Sequence, residues 1–114
     1  MRVLVCGGRD YSDFDKVADV LNGLRNEGKL SVVIQGGAFG ADALAKGHAA
    51  TLKVPCITFR AEWGKYGKRA GYLRNVRMLE EGKPDMVVAF PGGRGTAMMI
   101  QIAKEAGVPV MEIE

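Results

Sequence analysis

Short apolar runs alternate along this chain with longer segments of helical period, and most of the runs close on glycine. That alternation is the tightest constraint on the fold, because parallel strands need a long crossover between them and a helix supplies it. Arg2–Cys6 (RVLVC) is continuous and largely β-branched, as a strand covered on both faces must be. Ser12 then offers an N-cap with Asp15 in the first turn, and Phe14, Val17, Ala18, Leu21 and Leu24 recur at helical spacing until Gly28. A second strand is expected over residues 30–35, with a helix from about Gly40, and a third over 54–59. Residues 60–66 read as irregular, and a third helix is expected over about 68–81. A fourth strand over 85–90, a fourth helix over 96–106 and a last strand over 108–113 complete the pattern.

These units predict a three-layer, Rossmann-like, doubly wound α/β domain whose five parallel strands run in the order 3-2-1-4-5. The 114 residues leave room for one such domain, 1–114, with no internal repeat. Cys6 and Cys56 fall inside apolar runs, so they read as small core residues in a reducing compartment rather than a disulfide framework. No metal-ligand spacing occurs, the first residues run straight into a strand, and no apolar stretch reaches membrane-spanning length. A cytoplasmic protein without a resident cofactor or metal is the expectation.

In a doubly wound sheet, ligands bind outside the carboxyl ends of the strands where the order reverses, here between strands 1 and 4. Glycine-rich loops follow strand 1 (Gly7, Gly8, Arg9), strand 2 (Gly36, Gly37, Gly40, then Asp42) and strand 4 (Gly92, Gly93, Arg94, Gly95, Thr96). Those strands would be neighbours, so the loops converge on one crevice. Exposed backbone N–H groups at a helix start suit a phosphate, and glycine lets the phosphate approach them. The standard nucleotide fingerprints do not fit. No G-x-x-x-x-G-K-[ST] occurs, and Met98 stands where G-x-G-x-x-G needs its third glycine.

The formal charge of +3 is a mild basic excess, but it is unevenly spread. Residues 60–77 hold six bases against the single acid Glu62, leaving the rest of the chain slightly acidic. Trp63 and Tyr66 lie among those bases, a mixture suited to stacking and phosphate contact. His48, the one histidine, falls in an apolar helical stripe and reads as packed.

The three loops, read with Trp63-Gly64-Lys65-Tyr66-Gly67, Ala70-Gly71 and Arg74-Asn75, resemble the SLOG superfamily and, within it, the YspA-type proteins. The resemblance covers nearly the whole chain. It implies a nucleotide-derived small-molecule ligand and a homodimer or larger assembly. The same superfamily includes the lonely-guy phosphoribohydrolases, whose PGGxGTxxE motif carries a catalytic acid. Here Pro91–Thr96 matches the first half, Arg74–Met78 (RNVRM) matches their arginine segment, and Met99 occupies the place of the acid.

Glycosidic cleavage needs a carboxylate near the reacting carbon. Glu62 is the expected substitute acid beside Arg74, with Asp10 and Asp42 as structural alternatives. Arg74 is expected to hold a phosphate or pair with a carboxylate, and Asn75 to orient it or read a ribose hydroxyl. The leading expectation is binding of a phosphate-bearing, nucleotide-derived molecule as sensor, carrier or sequestering protein. Hydrolysis of a nucleotide N-glycosidic bond stands second. Single-stranded nucleic-acid binding, suggested by DNA-processing protein A of the same superfamily, ranks below both because the overall charge is small.

Overall fold

A computed structural model describes residues 1–114. Its strands β1 (Arg2–Cys6), β2 (Val32–Gln35), β3 (Cys56–Thr58), β4 (Met86–Ala89) and β5 (Val110–Glu112) form one parallel sheet in the order β3-β2-β1-β4-β5. Helices α1 (Phe14–Asn26), α2 (Ala41–Thr51), α4 (Ala70–Glu80) and α5 (Arg94–Glu105) cover its two faces, and a short helix α3 (Trp63–Tyr66) precedes α4. The architecture is the expected Rossmann-like one.

The sheet divides the core in two. Val3, Val5, Val33, Val88 and Phe90 meet Val17, Leu21 and Leu24 of α1 and the alanines of α2 on one side. Leu4, Cys6, Ile34, Val87 and Ala89 meet Met78, Met99 and Ala103 on the other. Alternate residues of β1 therefore enter opposite cores, which is why RVLVC carries no polar residue after Arg2. Each fully buried Val or Leu contributes about 1.5–3 kcal/mol. Leu21, Val17 and Val3 through Val5 are all fully buried.

Several boundaries differ from expectation. Asp13, not Ser12, caps α1, its carboxylate accepting the Lys16 amide at 3.0 Å. Helix α5 opens at Arg94 rather than Thr96, because Gly93 takes the cap position through its backbone. The segment 60–66 expected to be irregular contains α3, and the helix expected from about 68 begins as a 3₁₀ turn over Gly67–Arg69 before α4 opens at Ala70. Strand β3 is shorter than expected and lies at the sheet edge, leaving Cys56 only half-buried, unlike the buried Cys6. No helix is long and apolar enough to cross a membrane.

Candidate functional site

The loops after β1, β2 and β4 are locked to one another by backbone bonds. The Gly8 amide donates to the Pro91 carbonyl at 2.9 Å, and the Gly8 carbonyl accepts the Ala41 amide at 3.2 Å. Gly40 sits at φ +74°, and a Cβ there would overlap the Gly8 carbonyl oxygen, so only glycine allows this approach. Gly92 likewise packs against the Gly8 amide and the Thr96 hydroxyl.

Above these loops lies a crevice of about 410 Å³ over the carboxyl ends of β1 and β4. That is within the range of small-molecule sites. Its walls include Gly7, Gly8, Arg9, Asp42, Trp63, Arg74, Asn75, Gly93, Gly95 and Thr96, all expected from the sequence. Lys68, Gly71, Tyr72 and Met98 complete the walls, with Cys6, Met78 and Met99 among the buried lining residues. Lys68 and Tyr72, together with Cys6, Gly71, Met78, Met98 and Met99, were not expected as site residues. Helical spacing through residues 68, 71, 72, 75 and 78 is the signal that would have placed the first two on one face of the α4 region with Asn75.

The expected residues outside this crevice are Gly36, Gly37, Gly40, Glu62, Gly92 and Arg94. Gly36 and Gly37 line a smaller chamber of about 170 Å³ that shares Arg9, Ala38, Trp63 and Arg74 with the crevice. Arg94 is exposed at the start of α5. Glu62 lines a third, minute depression with Arg60, Tyr66 and Arg77. The carboxylate that does line the crevice is Asp42.

The loops differ in what their amides do. Asp42 Oδ2 accepts the amides of Gly36 (3.2 Å) and Ala38 (3.3 Å), and Gln35 Oε1 accepts that of Gly37 (2.6 Å). Three of the amides of the loop after β2 are thus satisfied within it. At the start of α5 the amides of Arg94, Gly95 and Thr96 donate to no protein acceptor, and no side chain caps the helix. Orphan amides and the helix dipole make this end attractive to an anion.

Arg74 is held in place at both ends of its guanidinium. Its Nε donates to Asn75 Oδ1 at 2.9 Å and its Nη1 to the Gly36 carbonyl at 2.6 Å. Asn75 is buried, and its amide nitrogen reaches the Gly95 carbonyl at 3.5 Å. One chain of contacts therefore links the β2 loop to the start of α5 through Arg74. Burial lowers the Arg74 pKa, while the Asp42 charge opposes the shift and Arg9 adds to it. Burial raises the Asp42 carboxyl, against the backbone bond from Ala38, the charge of Arg74 and the bond from Gly36. Burial, with the Asp42 charge, pushes the Cys6 thiol up to about 12. Arg9 lies over the Trp63 ring, 5.8 Å from its centre. His48 is buried away from this site, its Nε2 2.8 Å from Asn22 Oδ1.

Residues 1–66, more than half of the chain, match the family described as YspA, cpYpsA-related SLOG. The chain belongs to this SLOG family. It is also 39% identical to the Gene 61 protein of Mycobacterium phage D29, an alignment covering 96% of this chain and 94% of that protein. Among solved structures it resembles glycinamide ribonucleotide transformylase 1 from Geobacillus kaustophilus, with a TM-score of 0.54 at 20% identity. That likeness covers 99% of this SLOG chain but 57% of the other, and it shows the fold alone.

Proposed function

We propose that the crevice binds a phosphate-bearing, nucleotide-derived small molecule. The observation that carries this reading is the meeting of the free α5 amides, the Thr96 hydroxyl and the cations Arg9, Lys68 and Arg74 in one cavity with Trp63 and Tyr72. The amides and cations suit a phosphate, and the half-exposed aromatic rings suit a base or ribose. Membership of the SLOG family supports the nucleotide class. In this reading the first part of the β2 loop does not hold the crevice phosphate, since the Gly36, Gly37 and Ala38 amides are engaged. It positions Arg74 instead.

The test is a thermal-shift and calorimetry panel of nucleotides, ADP-ribose derivatives and their unphosphorylated nucleosides. Phosphorylated members should stabilise the protein while the matched nucleosides do not. Equal responses, or none, would overturn the reading. The family resemblance also implies a homodimer or larger assembly, and a monomer by light scattering would contradict that.

A second reading, hydrolysis of a nucleotide N-glycosidic bond, is favoured by the Asp42 carboxyl in the crevice wall. Against it stand the two backbone bonds held by Oδ2 and the burial of Met99 at the acid's place. Release of ribose 5-phosphate by the wild type, abolished in Asp42→Asn, would establish it. No release from any nucleotide would remove it and leave the binding reading standing.

A further inference from the structure

The smaller chamber beside the crevice has an unusual wall. Three guanidinium side chains, Arg9, Arg60 and Arg74, line it together with the backbone of Gly36 and Gly37, and no carboxylate does. The molecule's three salt bridges, Lys29–Glu27, Arg77–Glu81 and Lys104–Glu112, involve none of the three arginines. Asp42, in the wall of the adjoining crevice, offsets part of the charge on Arg9 and Arg74, and the positive excess that remains around the chamber suits an anion.

The two glycines make room for this arrangement. A Cβ on Gly36 would come within 2.5 Å of Arg74 Nη1, and one on Gly37 within 3.2 Å of Arg60 Cγ and 3.3 Å of its Nη1. The glycine pair thus lets two guanidinium groups lie directly on the loop backbone. Arg60 follows β3 and takes no part in the larger crevice, whereas Arg9, Ala38, Trp63 and Arg74 wall both spaces. The crevice and the chamber are therefore adjacent, meeting at these four residues.

We infer that the Arg9–Arg60–Arg74 chamber is a second anion subsite, so that the ligand carries two anionic groups, one at the start of α5 and one against Arg60. This rests on the binding reading above and narrows it from nucleotides in general to those with a diphosphate or a second, separate phosphate. Arg60 is then the specificity-determining residue. It is exposed, and its removal leaves both cores untouched.

The experiment is calorimetric titration of the full chain with AMP, adenosine 3′,5′-bisphosphate and ADP-ribose, repeated with the guanosine monophosphate and bisphosphate. Wild type, Arg60→Ala and Arg60→Lys are compared after each is shown to melt cooperatively. A charge-assisted hydrogen bond to phosphate is worth about ten-fold, so at least one two-anion probe should bind about ten-fold tighter than its monophosphate. Arg60→Ala should erase that advantage and change monophosphate binding less than about two-fold, with Arg60→Lys between, because lysine keeps the charge but not the fork. Equal binding of mono- and dianionic probes, or an equal loss for both in Arg60→Ala, would overturn the subsite while leaving the crevice reading intact. Failure of every probe, the monophosphates included, would overturn both.

Discussion

At the scale of single residues, the site is a set of commitments that distinguish superficially similar groups. Glu62 and Asp42 are both acids close to Trp63 or a glycine loop in sequence, yet one lies in a side depression and the other in the crevice wall. The sequence could not separate them, because the side of the chain that Glu62 occupies depends on the turn of α3, which carries no periodic signal over its four residues. Gly40 and Gly47 make a similar contrast. Gly40→Ala strains a left-handed backbone and strikes the Gly8 carbonyl, so it should cost about 2 kcal/mol or more. Gly47→Ala sits within α2 with open space around it and should gain about 0.5–1 kcal/mol. Urea denaturation of the two variants checks both signs. Cys6 supplies a pH test. Its thiol ionises near 12 when folded and near 9.0 in the free chain, so between those values the unfolded state holds fewer protons than the native one. Stability is complete below the lower value and falls across that window, by on the order of 1 kcal/mol at pH 10. Cys6→Ala should flatten this alkaline slope, whatever its effect at neutral pH. Parallel slopes for the two proteins would refute the assignment.

At the scale of elements, strand and helix identities were legible because their apolar periods are unmixed, but their ends were not. Ser12 and Asp13 are equally good caps, and only the placement of the Lys16 amide selects the second. Thr96 reads as a cap too, yet the backbone of Gly93 takes that position and draws Arg94 and Gly95 into the helix. This shift matters, because it leaves the Arg94, Gly95 and Thr96 amides without partners next to a crevice that Gly93, Gly95 and Thr96 line. Proline suits the first helical position, where its missing N–H breaks no intrahelical bond. Gly93, at φ −101° and ψ −141°, lies outside the α region that a following proline disfavours. Arg94→Pro should therefore keep the melting temperature within a few degrees while weakening nucleotide binding about three-fold to ten-fold. Arg94→Ala keeps the amide and should retain most of the affinity. If the alanine variant loses as much as the proline one, the side chain rather than the amide is the contact.

At the scale of the whole molecule, the strand order decides everything that follows. Order 3-2-1-4-5 puts three glycine loops side by side, and this convergence was legible before any coordinates because each loop closes a recognisable strand. What the sequence did not reveal was the division of labour among them. The loop after β2 spends its amides on Asp42 and Gln35, while the start of α5 leaves its amides open. Two loops of similar composition thus differ in which amides stay open, those of Gly36, Gly37 and Ala38 being engaged and those of Arg94, Gly95 and Thr96 free. The chain of contacts from Gly36 through Arg74 and Asn75 to Gly95 couples them. Asn75→Ala breaks that chain inside the core and should cost about 1–3 kcal/mol in stability, with a further loss of nucleotide affinity. Calorimetry at a temperature where the variant remains folded separates the two effects.

The most direct test of the account is an amide-resolved NMR titration of the uniformly labelled protein with AMP. Binding in the crevice predicts that the Arg94, Gly95 and Thr96 amides and the Trp63 indole shift first and farthest, while adenosine leaves those amides unmoved. Shifts confined to the opposite end of the sheet, around Met1 and Met111, or no saturable shift at all, would contradict it.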